Sequence, residues 1–223
     1  MIGVKVGSRV LTGPAAFLTL LVVLAALVGF VVVVGATAGW ALAVSAALWI
    51  LFIGYWTAAA ASAAPATRTE SAGSRQVHQR LLIASLVLLF LPVPGLRLRI
   101  LPATFVVEVA GLAVQIASGA LAVWARRHLG RNWSAAVSRR EGHQLVRTGP
   151  YRRIRHPIYS AMLGMFVGTA IVAGRLHAVI GLALIVFAYW RKIGIEEANL
   201  RGLFGEEYDR YRETSWALVP GLF

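Results

Sequence analysis

Apolar residues in this chain come in long unbroken runs, without the alternation of a half-buried strand or the stripe of a soluble helix. The first two runs, 15–34 and 40–64, each match the roughly twenty residues that cross a ~30 Å hydrocarbon core and predict a helical hairpin. Lys5 and Arg9 precede the first run, and Ala36-Thr37-Ala38 follows it, an arrangement shared with cleaved signal peptides. The apolar stretch is longer than a usual signal core, which predicts a retained helix. Residues 65–80 are rich in Ala, Ser and Thr, carry Arg68, Arg75, His78 and Arg80, and predict an exposed loop. A third run, Leu81 to Leu91, ends at Pro92-Val93-Pro94-Gly95 and is short for a crossing. The fourth, Thr104 to Trp124, contains Glu108 and Gln115, seven apart and so on one face. Such an intramembrane acid is a candidate for a lipid path or for a paired structural group.

Residues 125–157 are polar, and Ile158 to Trp190 are apolar again for 33 residues. That is too long for one span. Divided at Gly174-Arg175-Leu176-His177, it predicts two helices of ~24 Å each. Arg175 and His177 then read as anchors in an outer turn. The polar segment and the tail from Arg191 to Phe223 emerge on one side of the membrane.

Composition agrees with an all-α, polytopic membrane bundle of five to six transmembrane helices with a cytoplasmic C-terminal helix. The chain is 58% hydrophobic, has a mean hydropathy of +0.72 and only 14% charged residues, against roughly 25% in soluble domains. Its net charge of +13 fits anionic lipid at the membrane surface and not nucleic acid. In the six-crossing arrangement, 19 of the 22 Lys and Arg fall on the side of the polar segment, leaving Arg97, Arg99 and Arg175 on the other. The positive-inside rule puts the majority side in the cytoplasm. The absence of cysteine removes disulfides and thiolate chemistry.

The chemistry-bearing residues gather in three groups. In Arg155-His156-Pro157-Ile158-Tyr159, Pro157 suits the first turn of a helix, which sets His156 and Tyr159 at its mouth beside free backbone N–H groups. Upstream, Gly149-Pro150-Tyr151 predicts a tight turn, and His143, Gln144, Leu145 and Val146 form a short stretch able to offer backbone groups to a nucleobase. Downstream, Arg191, Lys192, Glu196, Glu197 and Leu200 fit a helix in which Lys192 and Glu196 can pair at i,i+4. Phe204, Tyr208 and Tyr211 follow as an aromatic stripe expected to pack on the protein itself. Each signal alone is also met in an ordinary headgroup belt or a solvated helix face.

Together, His143 to Tyr151, Arg155 to Tyr159 and Glu196 to Tyr211 closely resemble the isoprenylcysteine carboxyl methyltransferase family over the last hundred residues or so. The first hundred match only as generic membrane helices. The resemblance divides the chain into N-terminal transmembrane helices at 1–103 and a methyltransferase core at 104–223, forming one integrated domain. It implies S-adenosyl-L-methionine as cofactor, held by residues matching His143, Gln144, Leu145, Val146, Tyr151, His156, Pro157, Ile158, Tyr159, Glu196 and Glu197. It also implies a basic residue four positions before the first acid that holds a substrate carboxylate. Characterised eukaryotic members place Arg there, whereas this chain has Lys192 with Arg191 beside it. Lys lacks the planar two-point grip of Arg. Lys192, Arg191 and Glu196 are therefore the expected catalytic group, without a metal. The expected partners are membrane lipids and a lipidic or prenylated substrate, with oligomeric state open. Related alternatives are phospholipid N-methylation, NADPH-dependent lipid reduction and a noncatalytic membrane binding protein.

Overall fold

A computed structural model describes residues 3–6, 9–12, 14–60, 67–68, 70–91, 93–130, 138–139 and 145–221. Among these described residues seven α-helices carry the architecture: α1 (Pro14–Ala38), α2 (Trp40–Ala60), α3 (Ala72–Phe90), α4 (Phe105–Leu129), α5 (Pro157–Ala173), α6 (Leu176–Phe204) and α7 (Glu206–Glu213). Two short antiparallel strand pairs accompany them. One joins β1 (Gly3–Val6) to β2 (Arg9–Thr12), and the other joins β3 (Thr67–Arg68) to β4 (Ser138–Arg139). Helices α1, α2, α4 and α6 are long and apolar enough to cross a membrane, and α5 is a shorter apolar helix. The chain is an integral membrane protein.

Local sequence explains the boundaries. A single residue, Gly39, joins α1 to α2 with φ +101°, a left-handed conformation that favours glycine. Thr104 caps α4 by accepting from Val107 N at 3.4 Å, and Arg126, Arg127 and His128 fill its last turn, where cations complement the helix dipole. Pro157 opens α5, and Gly174, at φ +60°, ends it. The division of the last apolar run falls where the sequence reading puts it.

One expectation is corrected. The segment read as a loop at 65–80 becomes helical at Ala72, after Ser71 accepts from Ser74 N at 3.2 Å. Its Arg75, Gln76, Gln79 and Arg80 are polar but are good helix formers. With 19 residues, α3 reaches ~28 Å and runs antiparallel to α6. Arg191 Nη2 of α6 donates to Ser74 Oγ of α3 at 2.6 Å, and at the far end His177 Nδ1 donates to Leu88 O at 2.6 Å. His177, read as an anchor in an outer turn, is buried. The third apolar run is thus the second half of a helix that connects both ends of the bundle.

Those two ends differ in charge. Arg97, Arg99 and Arg175 meet at one: Arg99 and Arg175 form a β-bridge, and Arg175 Nη1 donates to Arg97 O at 3.4 Å. Glu108 lies in the first turn of α4 near this end, far from the polar motifs at the opposite end of α5. Gln115 is buried and structural. Its Nε2 donates to Ser45 O at 3.1 Å, while Ser45 Oγ and Trp49 Nε1 meet Thr169 Oγ1 at 3.1 and 2.9 Å. Polar contacts of this kind between membrane helices contribute about 0.6 kcal/mol each.

Helices α4 and α5 pack at backbone distance through Gly111, Gly164 and Gly168. A Cβ on Gly168 would lie 2.6 Å from Gly111 O and 2.7 Å from Gln115 N, and one on Gly164 would strike Ser118 Oγ. Small residues replace the hydrophobic drive that helices lack in lipid. Gly168→Leu is therefore expected to destabilise the protein by about 1–3 kcal/mol or more, because rigid backbone must move. Gly29→Leu, with nothing within 4 Å, is the control. Thermal unfolding in detergent checks both, and equal melting of Gly168→Leu and wild type would refute the close packing.

Candidate functional site

Among the described residues, Tyr151, Arg155, His156, Tyr159, Glu196 and Glu197 converge at the N-terminal end of α5. Three stretches of backbone hold them. A 3-10 turn, Gly149–Arg152, starts at Gly149 with φ +57°, where a Cβ would lie 2.6 Å from the His128 ring. It buries Tyr151, whose OH donates to Ala125 O at 3.4 Å. Tyr211 OH from α7 donates to Tyr151 O. The extended chain after α7 then straps the motif: Arg155 N and His156 N donate to Trp216 O and Ala217 O at 2.8 and 3.0 Å, and Ser160 Oγ donates to Leu218 O at 2.6 Å.

Adjacent acids on α6 point about 100° apart, and one imidazole joins them. His156 lies 3.4 Å through Nδ1 from Glu196 Oε2 and 3.4 Å through Nε2 from Glu197 Oε1. Tyr159 OH donates to Glu196 Oε1 at 2.6 Å. Glu197 takes Arg155 Nε at 2.8 Å and Arg212 Nε at 3.3 Å. Arg155 is held further by the carbonyls of Arg212 and Ser215. His156 stacks on Tyr159 at 5.7 Å, and Tyr159 on Tyr189 at 4.9 Å. This sequence of rings leads from the charged mouth into the bundle.

Lys192 departs from the expected pairing. It is buried and forms its ion pair with Glu70, Nζ to Oε2 at 2.6 Å, not with Glu196. Glu70 Oε1 accepts from Ser74 Oγ at 2.7 Å, the hydroxyl that also receives Arg191 Nη2. Glu196 thus sits with His156 and Tyr159, Lys192 sits with Glu70 one helical turn away, and Arg191 ties α6 to α3. Burial opposes the charge on Glu70, but bonds from Lys192 and Ser74 outweigh it and hold its carboxyl below the ordinary value. Sequence reading missed Glu70 because it falls in the segment taken for an exposed loop. It also missed Tyr189, hidden inside an apolar run, and the strap at 215–218.

The remaining expected residues line or support the same end. Pro157 and Ile158 are buried beneath it, and Ile158 packs in a small cluster with Tyr151, Ala125 and the half-buried Val146. Leu145 is half-buried beside Val146. His143 and Gln144 lie outside the described residues. The aromatic stripe packs on the protein as expected, with Tyr208 and Tyr211 buried at 6.1 Å from one another.

Burial disfavours a charge on His156, yet the bonds and attraction of Glu196 and Glu197 win and raise its pKa above 6.5. A raised pKa in the folded state contributes stability that is fully present below the unfolded value and is lost as pH rises through the folded value. Melting temperature in detergent should therefore fall as pH climbs from 6.5 through the titration of His156. His156→Gln should flatten that slope, and an equal slope in both proteins would remove the charged imidazole from the account.

Comparison with known proteins adds an independent line. The family model described as phospholipid methyltransferase matches residues 106–207. Protein-S-isoprenylcysteine O-methyltransferase B of Arabidopsis thaliana is 34% identical over 85 residues, covering 38% of this chain and 43% of that protein. The protein-S-isoprenylcysteine O-methyltransferase of Schizosaccharomyces pombe is 31% identical over 86 residues, covering 38% and 36%. The solved eukaryotic intramembrane Ras methyltransferase, an isoprenylcysteine carboxyl methyltransferase, aligns with a TM-score of 0.48 at 22% identity, covering 69% of this chain and 55% of that one. The matched part of this chain spans less than half the length of the two sequence relatives. The part of the chain that matches the phospholipid methyltransferase family model, residues 106–207, takes in nearly all of α4, the motif turn, α5 and α6, so it is the site-bearing half of the chain that is similar to known methyltransferases.

Proposed function

We propose that this protein is a methyltransferase that uses S-adenosyl-L-methionine to methylate the carboxylate of an isoprenylcysteine-like, lipidic acceptor at the cytoplasmic face. One observation carries the reading: Glu196 meets His156 and Tyr159 at a single membrane-edge cluster, with the buried Lys192 one helical turn away on the same helix. The sequence relatives support the acceptor class. The 19 basic residues assigned to the cluster's side support its cytoplasmic orientation.

The residues fit the cofactor. Glu196 keeps 22% side-chain exposure and only a loose 3.4 Å contact on Oε2, leaving lone pairs for an ammonium or ribose hydroxyl. Leu145, Val146, Tyr151, Pro157 and Ile158 supply apolar walls, and His143, Gln144 and Glu197 complete the proposed set. When bound, S-adenosyl-L-methionine supplies an electrophilic methyl group.

What the chain contributes is alignment. A carboxylate is already a competent nucleophile, so no general base is required, and Lys192 serves as the point charge that orients it. Fixing the attacking oxygen in line and excluding water are sufficient sources of acceleration. Arg191 holds α6 against α3 through Ser74 and so keeps Lys192 in register. The acceptor's lipid arrives between helices while the cofactor arrives from water.

Four measurements test the reading. Titration with S-adenosylhomocysteine should saturate and titration with NADPH should not; the reverse would favour lipid reduction. Glu196→Ala should weaken S-adenosylhomocysteine binding about tenfold or more, as expected for a lost bond to a charged group, and unchanged affinity would sink the pocket. Lys192→Met should lose turnover with cofactor affinity kept. Labelled methyl transferred into a membrane extract should be released by base, as an ester is; base-stable label would point to an amine acceptor.

A further inference from the structure

The proposed anion-orienting cation is not free. Lys192 Nζ and Glu70 Oε2 are 2.6 Å apart, with side-chain exposures of 6% and 1%. An acceptor carboxylate reaching Lys192 meets a carboxylate already there. Glu70 lies outside the segment matched by the family model, 106–207, and no resemblance assigns it a role.

Three features make Glu70 exchangeable. It stands outside any helix, immediately before the α3 cap Ser71, whereas Lys192 is fixed within α6. Its second oxygen holds Ser74 Oγ at 2.7 Å, and that hydroxyl receives Arg191 Nη2 at 2.6 Å. A displaced Glu70 carboxylate therefore has a second cation one hydroxyl away. Arg75 Nη1 donates to Glu70 O at 2.6 Å, which tethers the backbone while the side chain swings.

Resting on the carboxyl-methylation reading, we infer that Glu70 is an internal substitute for the acceptor carboxylate on Lys192, displaced by the acid and restored when the ester forms. In the transfer step, a carboxylate oxygen of the acceptor forms the new bond to the methyl carbon, and the carbon–sulfur bond breaks with its electron pair going to sulfur. The acceptor's negative charge disappears. The neutral ester no longer competes for Lys192, and Glu70 recaptures it. The pair thereby distinguishes acid from ester and drives release of product.

The test uses the full chain in detergent, saturated with S-adenosylhomocysteine, and measures Kd for N-acetyl-S-farnesylcysteine and for its methyl ester by equilibrium dialysis. Glu70→Gln should bind the acid at least tenfold more tightly than wild type and bind the ester equally. A Glu70 that merely stabilised the fold would weaken both ligands or neither. Acid binding that is unchanged or weaker in the variant, with wild type still binding the acid, overturns the role of Glu70 alone. If neither ligand binds either protein, the carboxyl-methylation reading falls and the inference with it. Should Glu70→Gln not fold, Glu70→Asp keeps the charge on a shorter arm. It should tighten acid binding about threefold without affecting the ester, and unchanged acid affinity again overturns the inference.

Discussion

A carboxylate at the edge of a membrane must find donors for its lone pairs, because burial without them costs several kcal/mol. Glu196 and Glu197 draw theirs from distant parts of the chain: His156 and Tyr159 at the start of α5, Arg155 just before it, and Arg212 from α7. Satisfying two neighbouring acids therefore closes α5, α6 and α7 around one point. His156 matters most because each ring nitrogen faces a different carboxylate. The C-terminal strap gains its purpose from the same requirement, since it fixes the backbone of Arg155 and His156 through Trp216 and Ala217.

Deeper in the bundle, geometry replaces charge as the organising constraint. Gly111 and Gly168 bring α4 and α5 to backbone contact, and the bonds among Ser45, Trp49, Gln115 and Thr169 fix α2 against both. A similar close approach joins α3 to α6, where a Cβ on Gly181 would lie 2.9 Å from Ser85 O. That contact sets the height of α3 relative to α6. Height in turn decides that Glu70 faces Lys192, and not a residue one turn away.

Much of this was legible from local rules. Runs of bilayer length fixed the hairpin α1–α2, Pro157 marked the start of α5, and Gly174 marked its end, because each depends on nearest neighbours alone. Arg97, Arg99 and Arg175 separated from the other cations by counting. The α3 region resisted for a physical reason. Its Arg75, Gln76, Gln79 and Arg80 have the polarity of a loop and the propensity of a helix, and the deciding partner, α6, lies about a hundred residues away. Lys192 and Glu196 satisfied an i,i+4 rule that a buried partner then overrode. The weak energy of such pairs, a few tenths of a kcal/mol, explains why tertiary contact won.

Two cations one residue apart on α6 have different duties because a helix turns about 100° per residue. Arg191 is directed at Ser74 and a backbone carbonyl, using its planar donors for a neutral hydrogen-bonded joint. Lys192 is directed inward, where a compact ammonium meets a carboxylate end-on. A guanidinium at 192 would favour a two-point grip and hold Glu70 more firmly. Lysine makes a single contact, so its partner can leave without breaking a second bond. Lysine at 192 is thus coherent with the proposed exchange of anions and with the presence of Glu70.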